Sequence, residues 1–383
     1  MANQDEIKRR KDLISNAILE NGLTKKSHIV RFIRFNDVLS KEFKKLSDVQ
    51  IRRYITFPKG DDLIDEGHYI KGRSIHKNSE GKVISEWVKT DTNKELLEQR
   101  FKESIKALQE NIKPYKPVNL LEIDRSPNLI NQYTITDYHL GMFSWREESG
   151  TEWSSEIAEN MLVKWFEKAI QTSPKAKKCI FAQIGDFMHF DGLEAVTPQS
   201  KHVLDADVRY QQLVRMAMRV IRRVVEMLLV KYESVELINV EGNHDMASSA
   251  WLKETFHMLY ENEPRVNVDR NPLPYHCFNE GNLCLFYAHS HTKKLGALDT
   301  VFVSNYKKEF ANAEHVYAHT GHYHHQVKQE SNLMILEQHA TLSAKDAYAV
   351  RGGYSSKRSA VVITYHLEHG EVGRNTINPN MLG

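Results

Sequence analysis

Five apolar, strand-like runs in this chain each end directly before residues that can bind a metal ion. The residues that follow these runs are Asp, Asn and His: Asp137 and His139, then Asp186, then Asn243 with His244 and Asp245, then His289, and last His322 with His324. In open α/β sheets, reactive groups collect in the crevice beyond the carboxyl ends of the strands. The repeated placement of Asp, Asn and His at these ends therefore predicts one polar site assembled from distant segments.

The donor types indicate a centre of two divalent metal ions. Mixed carboxylate, amide and imidazole ligands suit Mn, Fe, Zn or Ni, and they require no thiolate. Two such ions, about 3.5–4 Å apart, lower the pKa of a bridging water and clamp the oxygens of a phosphoryl group. Phosphate ester hydrolysis requires mainly a positioned water and neutralised charge. We therefore expect two divalent metal ions, with Mn favoured over Fe, Zn or Ni.

Five short motifs carry a resemblance to a known family. They span Asp137 to His324, and in chain order they read TDYHLG, GDFMH, EGNHD, YAHSH and TGHYHH. In this order and at this spacing they resemble the motifs of the calcineurin-like metallophosphoesterases. The details DxHLG and GDxxH are most similar to the SbcD-type nuclease subunit of double-strand-break repair. The overall arrangement also resembles phage- and prophage-encoded metallophosphoesterases with a helix-turn-helix-like N-terminal region.

The resemblance implies a role for each motif residue. It implies seven metal ligands: Asp137, His139 and His324 for the first ion, Asn243, His289 and His322 for the second, and Asp186 as the bridge between them. His244 would stand beside the scissile phosphate as leaving-group acid or oxyanion partner, with its ring oriented by Asp245. His189 would touch the substrate phosphate, as the second-motif histidine does in SbcD-type nucleases. The alternative for His189 is a residue that caps the backbone where a helix begins.

Three further histidines lie close in sequence to the implied ligands, and each could be the ligand in place of its neighbour. They are His291, His319 and His325. By motif position the ligands are His289, His322 and His324. We therefore expect the three flanking histidines to support the ligands or to be exposed.

After residue 128, strand-like and helical runs alternate along the chain. These strands and helices must position the candidate ligands. Helical runs are predicted at roughly 156–171, 205–231 and 248–261. Such alternation requires helical layers that cover the sheets. For residues 128–383 we expect an α/β fold, the four-layer α/β/β/α metallophosphoesterase sandwich that the resemblance also implies.

Residues 1–56 differ from the rest of the chain in charge and pattern. They read as short helices, and residues 1–60 hold fourteen Lys and Arg against seven Asp and Glu in a chain whose net charge is +2. Such a segment resembles a helix-turn-helix DNA-binding unit, in which Arg52 and Arg53 of the last helix would contact guanines or phosphates. The alternative is a small helical bundle that packs on the catalytic domain.

Two other segments have expected roles. Residues 57–127 are predicted to connect the two domains through a β-hairpin, an amphipathic helix and a proline-punctuated linker. After the last ligand, Gly352 and Gly353 lie among the basic residues Arg351, Lys357 and Arg358. This loop would grip a phosphodiester backbone, and the alternative is an ordinary surface loop.

Composition excludes several classes of protein. Three cysteines without CxxC spacing argue against a disulfide framework and against a thiolate zinc site. The N-terminus lacks the apolar core of a signal peptide, and no run of about 18 apolar residues exists. We therefore expect no membrane partner and a cytoplasmic location, in the host cytoplasm if a phage encodes the protein. The sequence leaves the oligomeric state open, with a homodimer as one option.

Three functional hypotheses follow. The leading one is a two-metal phosphodiesterase that hydrolyses nucleic acid, as a DNA nuclease before an RNA nuclease. The second is a phosphomonoesterase or small-molecule phosphodiesterase whose N-terminal region serves packing or assembly. The metal site does not separate these two, because the same ions serve both bond types. The third is an inactive DNA-binding protein, and the complete ligand set argues against it.

Overall fold

The structure is a computed structural model. It describes residues 8–14, 29–30, 33, 39–47, 50–51, 55, 68–77, 83–92 and 115–382. The chain divides into two compact units, Met1–Asn111 and Ile112–Gly383. Arg52, Arg53 and the predicted amphipathic helix of the connector lie outside the described residues.

The first unit has a small core of buried side chains. Its described elements are a helical segment at 8–14, helix α1 (Leu39–Glu42) and the antiparallel strands β1 (His68–Lys77) and β2 (Val83–Thr92). The core consists of Ile14, Ile29, Val30, Ile33, Leu39, Phe43, Ile51 and Ile55. Ser47 and Gln50 exchange backbone-to-side-chain hydrogen bonds of 2.8 and 3.3 Å, the hydrogen-bond pattern of a helix capping box. The DNA-binding role of this unit stays a prediction.

The second unit contains two sheets. Its strands, in chain order, are β3 (Ser126–Ile135), β4 (Ala176–Ile184), β5 (Ser234–Val240), β6 (Val266–Val268), β7 (His276–Glu280), β8 (Leu283–Ala288), β9 (His315–Thr320), β10 (Val327–Glu330), β11 (Ile335–Gln338), β12 (Ala360–His366) and β13 (Gly370–Ile377). The six-stranded sheet has the order β13-β12-β3-β4-β5-β6, and the five-stranded sheet has the order β10-β11-β9-β8-β7. Strands β3 to β6 are parallel, as are β8, β9 and β11. The carboxyl ends of β3, β4 and β5 therefore share one edge of their sheet, as those of β8 and β9 do in the other.

Helices alternate with these strands along the chain. They are α2 (Arg146–Ser149), α3 (Ser155–Thr172), α4 (Tyr210–Lys231), α5 (Met246–Leu259), α6 (Leu298–Asn305), α7 (Lys307–Ala311) and α8 (Ala347–Arg351), with 3-10 turns at Leu295–Ala297 and Pro379–Met381. Helix α4 begins at Tyr210 rather than near residue 205. The preceding residues are extended instead, since Ala206 pairs with Met142 in a β-bridge.

Packing between these elements gives the expected four layers. Between the sheets, buried side chains such as Ile180, Leu285 and Ile363 form one apolar core. On the outer face of the six-stranded sheet, Phe166 of α3 packs edge-on against Phe181 with ring centroids 4.9 Å apart. On the outer face of the other sheet, Phe302 of α6 stacks on Phe286, also at 4.9 Å. The order of layers is therefore α/β/β/α.

The proline-punctuated segment before β3 is fixed by hydrogen bonds to neighbouring elements. The Tyr115 hydroxyl donates a hydrogen bond of 2.5 Å to Glu263, and the Arg125 guanidinium donates one of 2.7 Å to the Lys231 carbonyl. These contacts attach residues 115–125 to the second unit.

Among the described residues, no helix combines the length and apolar character needed to cross a membrane.

Candidate metal centre

The predicted ligands lie together beyond the carboxyl ends of β3, β4, β5, β8 and β9. They form two groups whose ligand atoms all lie within 4.8 Å of one another: Asp137, His139 and His324 in one, and Asp186, His289 and His322 in the other. The groups adjoin, because His289 Nε2 lies 3.0 Å from Asp186 Oδ2 and 3.8 Å from Asp137 Oδ1. The structure thus brings six of the seven predicted ligands into one buried site.

The backbone at these positions has an unusual conformation. Among the described residues, seven non-glycine residues have a positive φ, and five of them are predicted ligands: Asp137, His139, Asp186, His322 and His324. The left-handed region costs of order 1–3 kcal/mol for such a residue and persists where the surroundings over-determine it, which is typical of functional sites. The sharp turns after the strands therefore aim these side chains into a common space.

Two glycines allow the loops to approach the carboxylates closely. A Cβ atom on Gly242 would lie 2.0 Å from Asp186 Oδ1 and 2.3 Å from the Asp186 nitrogen. A Cβ atom on Gly321 would lie 1.9 Å from Thr136 Oγ1 and 2.7 Å from Asp137 Oδ2. No side chain can occupy either space, so each glycine sets the distance between one ligand loop and the next.

We expect Gly242→Ala to weaken Mn²⁺ binding by at least about tenfold, the equivalent of about 1.4 kcal/mol. The added methyl group must displace the Asp186 carboxylate or the loop that carries Asn243. Gly192→Ala is the matched control, because a Cβ atom there meets nothing within 4 Å. Calorimetric titration of both variants with Mn²⁺ checks this, and equal affinities would show that the close approach at Gly242 is not needed.

Hydrogen bonds hold the ligand side chains in orientation. Asp137 accepts from the Thr136 hydroxyl at 2.6 Å and from the His322 backbone N–H at 2.8 Å. His289 Nδ1 lies 2.8 Å from the Ile184 carbonyl oxygen and therefore donates to it. This bond fixes the ring tautomer and leaves His289 Nε2 as the atom that faces the carboxylates.

The electrostatics of the site favour a bound cation. Burial lowers the pKa of His139 well below its usual value, and His244 and His189 lower it further, so this imidazole is in the neutral form that binds metal. Burial also acts to lower the pKa of His289, but the Asp186 and Asp137 carboxylates outweigh it and raise the pKa to about 10. The two carboxylates thus place negative charge where His289 Nε2 points.

Asn243 supplies an independent indication of a ligand. Its side-chain oxygen, Oδ1, is buried and has no hydrogen-bond partner among the described residues. A buried polar oxygen without a partner costs about 1–3 kcal/mol, unless something that is not protein satisfies it. A divalent ion is such a partner for an amide oxygen. The residues present therefore fit a metal centre.

The structure corrects the role that was expected for Asp245. Its carboxylate does not contact the His244 ring. It is fully buried and accepts hydrogen bonds from the backbone N–H groups of Gly242, Asp186, Phe187 and Met188, at 2.7–3.2 Å. Three of these donors belong to the turn after β4 and one, Gly242, to the loop after β5, and the carboxylate satisfies all four. Asp245 therefore positions the loop that carries Asp186.

His244 is oriented by a backbone carbonyl instead. Its Nδ1 lies 2.8 Å from the His189 carbonyl oxygen and donates to it, so Nε2 is free for other contacts. The ring packs edge-on against His139 with centroids 4.7 Å apart. His244 therefore lies beside the first ligand group with a defined tautomer.

His189 is buried and touches the same group, with its ring stacked on that of His244 at a centroid distance of 5.6 Å. It is 1% exposed, and its Nδ1 lies 3.2 Å from His139 Nδ1.

Nearby, Asp191 accepts hydrogen bonds from the backbone N–H groups of Ala247 and Ser248 at 2.6 and 2.7 Å, which caps the start of α5. Their closeness in sequence does not indicate that His189 and Asp191 contact different segments.

The three flanking histidines have three different surroundings. The His291 ring lies 5.6 Å from that of His289, and its Nδ1 is buried without a partner among the described residues. His319 bonds to His339 at 2.9 Å and to the Tyr365 hydroxyl at 3.0 Å, away from the ligand groups. His325 is exposed and bonds to the Tyr323 carbonyl at 2.8 Å. Of the three, His291 adjoins the second ligand group.

The basic loop after the last ligand is only partly available to a substrate. Arg351 and Lys357 are exposed, and Arg351 lies 3.5 Å from Glu148. The expectation for Arg358 is wrong. Its guanidinium lies 5.0 Å from the centre of the Trp153 ring and donates to the Leu342 carbonyl at 2.8 Å, so it stabilises the fold.

Comparison with known proteins gives low similarities throughout. No protein-family model and no curated protein matches the sequence. A solved archaeal phosphodiesterase is 12% identical, with a TM-score of 0.34, over 64% of this chain and 99% of its own. A dimetal phosphatase from Danio rerio is 10% identical, with a TM-score of 0.33, over 66% and 99%. Vps29 from Entamoeba histolytica, complexed with zinc, is 11% identical, with a TM-score of 0.28, over 65% and 99%.

Proposed function

We propose that this protein is a two-metal phosphodiesterase that hydrolyses nucleic acid, with DNA as the preferred substrate. One observation carries the proposal: the two ligand groups adjoin within a single buried site, with His289 Nε2 3.0 Å from Asp186 and 3.8 Å from Asp137. The orphaned Asn243 oxygen completes the donor set. A single structural metal ion would not need two carboxylates and four imidazoles.

Different residues of the site would bind the metal ions, transfer a proton and position a ligand loop. The seven ligands would hold two divalent ions, which activate a water and neutralise charge on the phosphoryl oxygens when bound. Because His244 Nδ1 donates to the His189 carbonyl, Nε2 is the atom that would give a proton to the leaving oxygen, a step that requires the imidazolium form with a proton on both ring nitrogens. Asp245 fixes the turn after β4 through the backbone N–H groups of Asp186, Phe187 and Met188, and so keeps Asp186 in place.

Nucleic acid is favoured over small phosphate esters for two reasons. The DxHLG and GDxxH details resemble those of SbcD-type nucleases, and residues 1–60 carry seven more basic than acidic residues. A basic segment attached to a phosphoesterase site suits a polyanionic substrate. The exposed Arg351 and Lys357 would add phosphate contacts close to the last ligand loop.

A substrate panel tests the proposal. Purified protein is incubated with Mn²⁺ and with labelled single-stranded, double-stranded and nicked DNA, RNA, a chromogenic phosphodiester and a chromogenic monoester. We expect hydrolysis of DNA and of the diester, and its loss when a chelator is added. Turnover of the monoester alone would instead support the phosphomonoesterase hypothesis.

Deletion of residues 1–56 should leave hydrolysis of the chromogenic diester nearly intact and weaken DNA binding. All seven predicted ligands lie beyond residue 136, whereas the deleted segment contributes the basic charge. Each lost phosphate contact should reduce the slope of log affinity against log salt by about 0.9 on duplex DNA. Fluorescence anisotropy at several salt concentrations measures that slope. Arg52→Ala combined with Arg53→Ala should reproduce part of the loss, and an unchanged slope in both variants would refute the helix-turn-helix hypothesis.

A further inference from the structure

Four exposed aromatic side chains lie in two neighbouring segments, 143–145 and 348–354, beside the metal centre. They are Phe143, Trp145, Tyr348 and Tyr354, which are 42%, 54%, 68% and 63% exposed. The rings of Tyr348 and Tyr354 are nearly parallel, with centroids 6.4 Å apart. Phe143 and Trp145 border a cavity of about 330 Å³ together with Asp205 and Ala347. Exposed apolar surface gathered in one place is typical of a binding site.

Hydrogen bonds connect this aromatic patch to a predicted ligand. The hydroxyls of Thr341 and Ser343 donate to the Asp137 carbonyl at 2.7 and 2.9 Å. Two residues further on, the Lys345 carbonyl accepts from the Ser144 hydroxyl at 2.6 Å, between Phe143 and Trp145 in sequence. Phe143 follows His139 by four residues, so their Cα atoms are at most about 14 Å apart. The patch therefore adjoins the first ligand group.

The charges around the patch favour binding of a neutral nucleobase there over binding of a phosphate. Glu148 and Asp205 line the cavity between the aromatic residues and would repel a phosphate there. Arg351 lies 3.5 Å from Glu148 at the exposed rim, and Lys357 is exposed in the same loop. A nucleobase is neutral and planar, so it can occupy the aromatic patch while its phosphates follow the basic rim.

We propose that Phe143, Trp145, Tyr348 and Tyr354 form a stacking surface for unpaired nucleobases next to the scissile phosphate. This inference rests on the proposed function and names its substrate class as single-stranded nucleic acid or an unpaired end. Stacking of bases on aromatic rings contributes about 1–3 kcal/mol per base and tolerates any sequence. A paired duplex keeps its bases inside the helix, so it cannot use these rings without opening.

Two ligands of equal length and charge test the proposal. One is a labelled oligothymidylate, and the other is an abasic oligomer with the same number of phosphates. We expect Trp145→Ala and Tyr348→Ala each to weaken binding of the oligothymidylate about 5- to 150-fold, which corresponds to the loss of one stacked base. Binding of the abasic oligomer should change far less. Fluorescence anisotropy measures both affinities, and a matched RNA oligomer shows whether the sugar matters.

Two further variants serve as controls. Trp145→Phe keeps an aromatic ring and should retain most of the affinity. Met258→Ala removes a side chain that is 64% exposed near the far end of α5, twelve residues and about 18 Å from the end of that helix that follows Asp245. It should bind both oligomers as the unaltered protein does.

The outcomes separate this inference from the proposed function. Equal losses on both oligomers would indicate phosphate contacts, and unchanged affinity for both would show that no base stacks there; either result overturns the inference. The same holds if the unaltered protein does not bind the oligothymidylate. Failure of the proposed function has a different signature, in which no phosphodiester is hydrolysed with Mn²⁺ although the rings still bind the oligothymidylate.

Discussion

Asp186→Asn is expected to abolish nearly all turnover of a phosphodiester. The Asp186 carboxylate lies 3.0 Å from His289 through one oxygen and accepts the His244 backbone N–H at 2.7 Å through the other. It is the predicted bridge, and an amide has neither the charge nor the two equivalent oxygens to bridge two ions. Metal activation of water and phosphate is worth several kcal/mol, so we expect kcat to fall by at least about 10³-fold.

The control for this variant is Asp124→Asn, which changes an exposed carboxylate before β3. The measurements are kcat on the chromogenic diester and the amount of Mn²⁺ bound per chain. We expect the Asp186 variant to bind less than two equivalents and the Asp124 variant to behave as the unaltered protein. Full activity of the Asp186 variant would mean that the carboxylate does not bridge.

His244→Ala should keep both metal ions and lower kcat by about 10²–10⁴, the range typical of general acid-base groups. His244 clusters with His139 and His189 but belongs to neither carboxylate-containing ligand group, and its Nδ1 is occupied by the His189 carbonyl. The loss should be larger for a nucleotide leaving group than for a nitrophenolate, because a poorly stabilised oxyanion depends more on a proton donor. Rates on both substrates, with metal content, check this.

The comparison variant is His257→Ala, an exposed histidine on α5. It should retain both the rate and the metal content. If metal content fell equally in the His244 and Asp186 variants, His244 would be a ligand and its role as a proton donor would be wrong.

The strand ends could be predicted from the sequence because they depend on local pattern, whereas the grouping of the ligands was implied by the resemblance of the five motifs. Apolar runs followed by Asp, Asn or His mark the strand ends directly, and parallel strands must open at a shared edge. The helices at 155–172 and 246–259 also follow local pattern. Their observed bounds, Ser155–Thr172 and Met246–Leu259, differ by only one or two residues from those expected.

The errors arose where a side chain finds a partner that is distant in sequence. Asp245 follows His244 directly, yet its hydrogen bonds go to the turn after β4, 57–59 residues away. Arg358 looks like a surface cation in sequence, but Trp153 lies under its guanidinium. The aromatic patch was missed for the same reason, since Phe143 and Tyr348 are far apart in the chain and their segments are joined by contacts such as the hydrogen bond from Ser144 to the Lys345 carbonyl.

The most direct test of the account is a titration of the metal-free protein with Mn²⁺, with hydrolysis of the chromogenic diester followed at each addition. Two adjoining ligand groups predict that activity rises with the second equivalent and reaches its maximum at two Mn²⁺ per chain. Maximal activity at one equivalent, or no hydrolysis at any Mn²⁺ concentration, would contradict the two-metal phosphodiesterase.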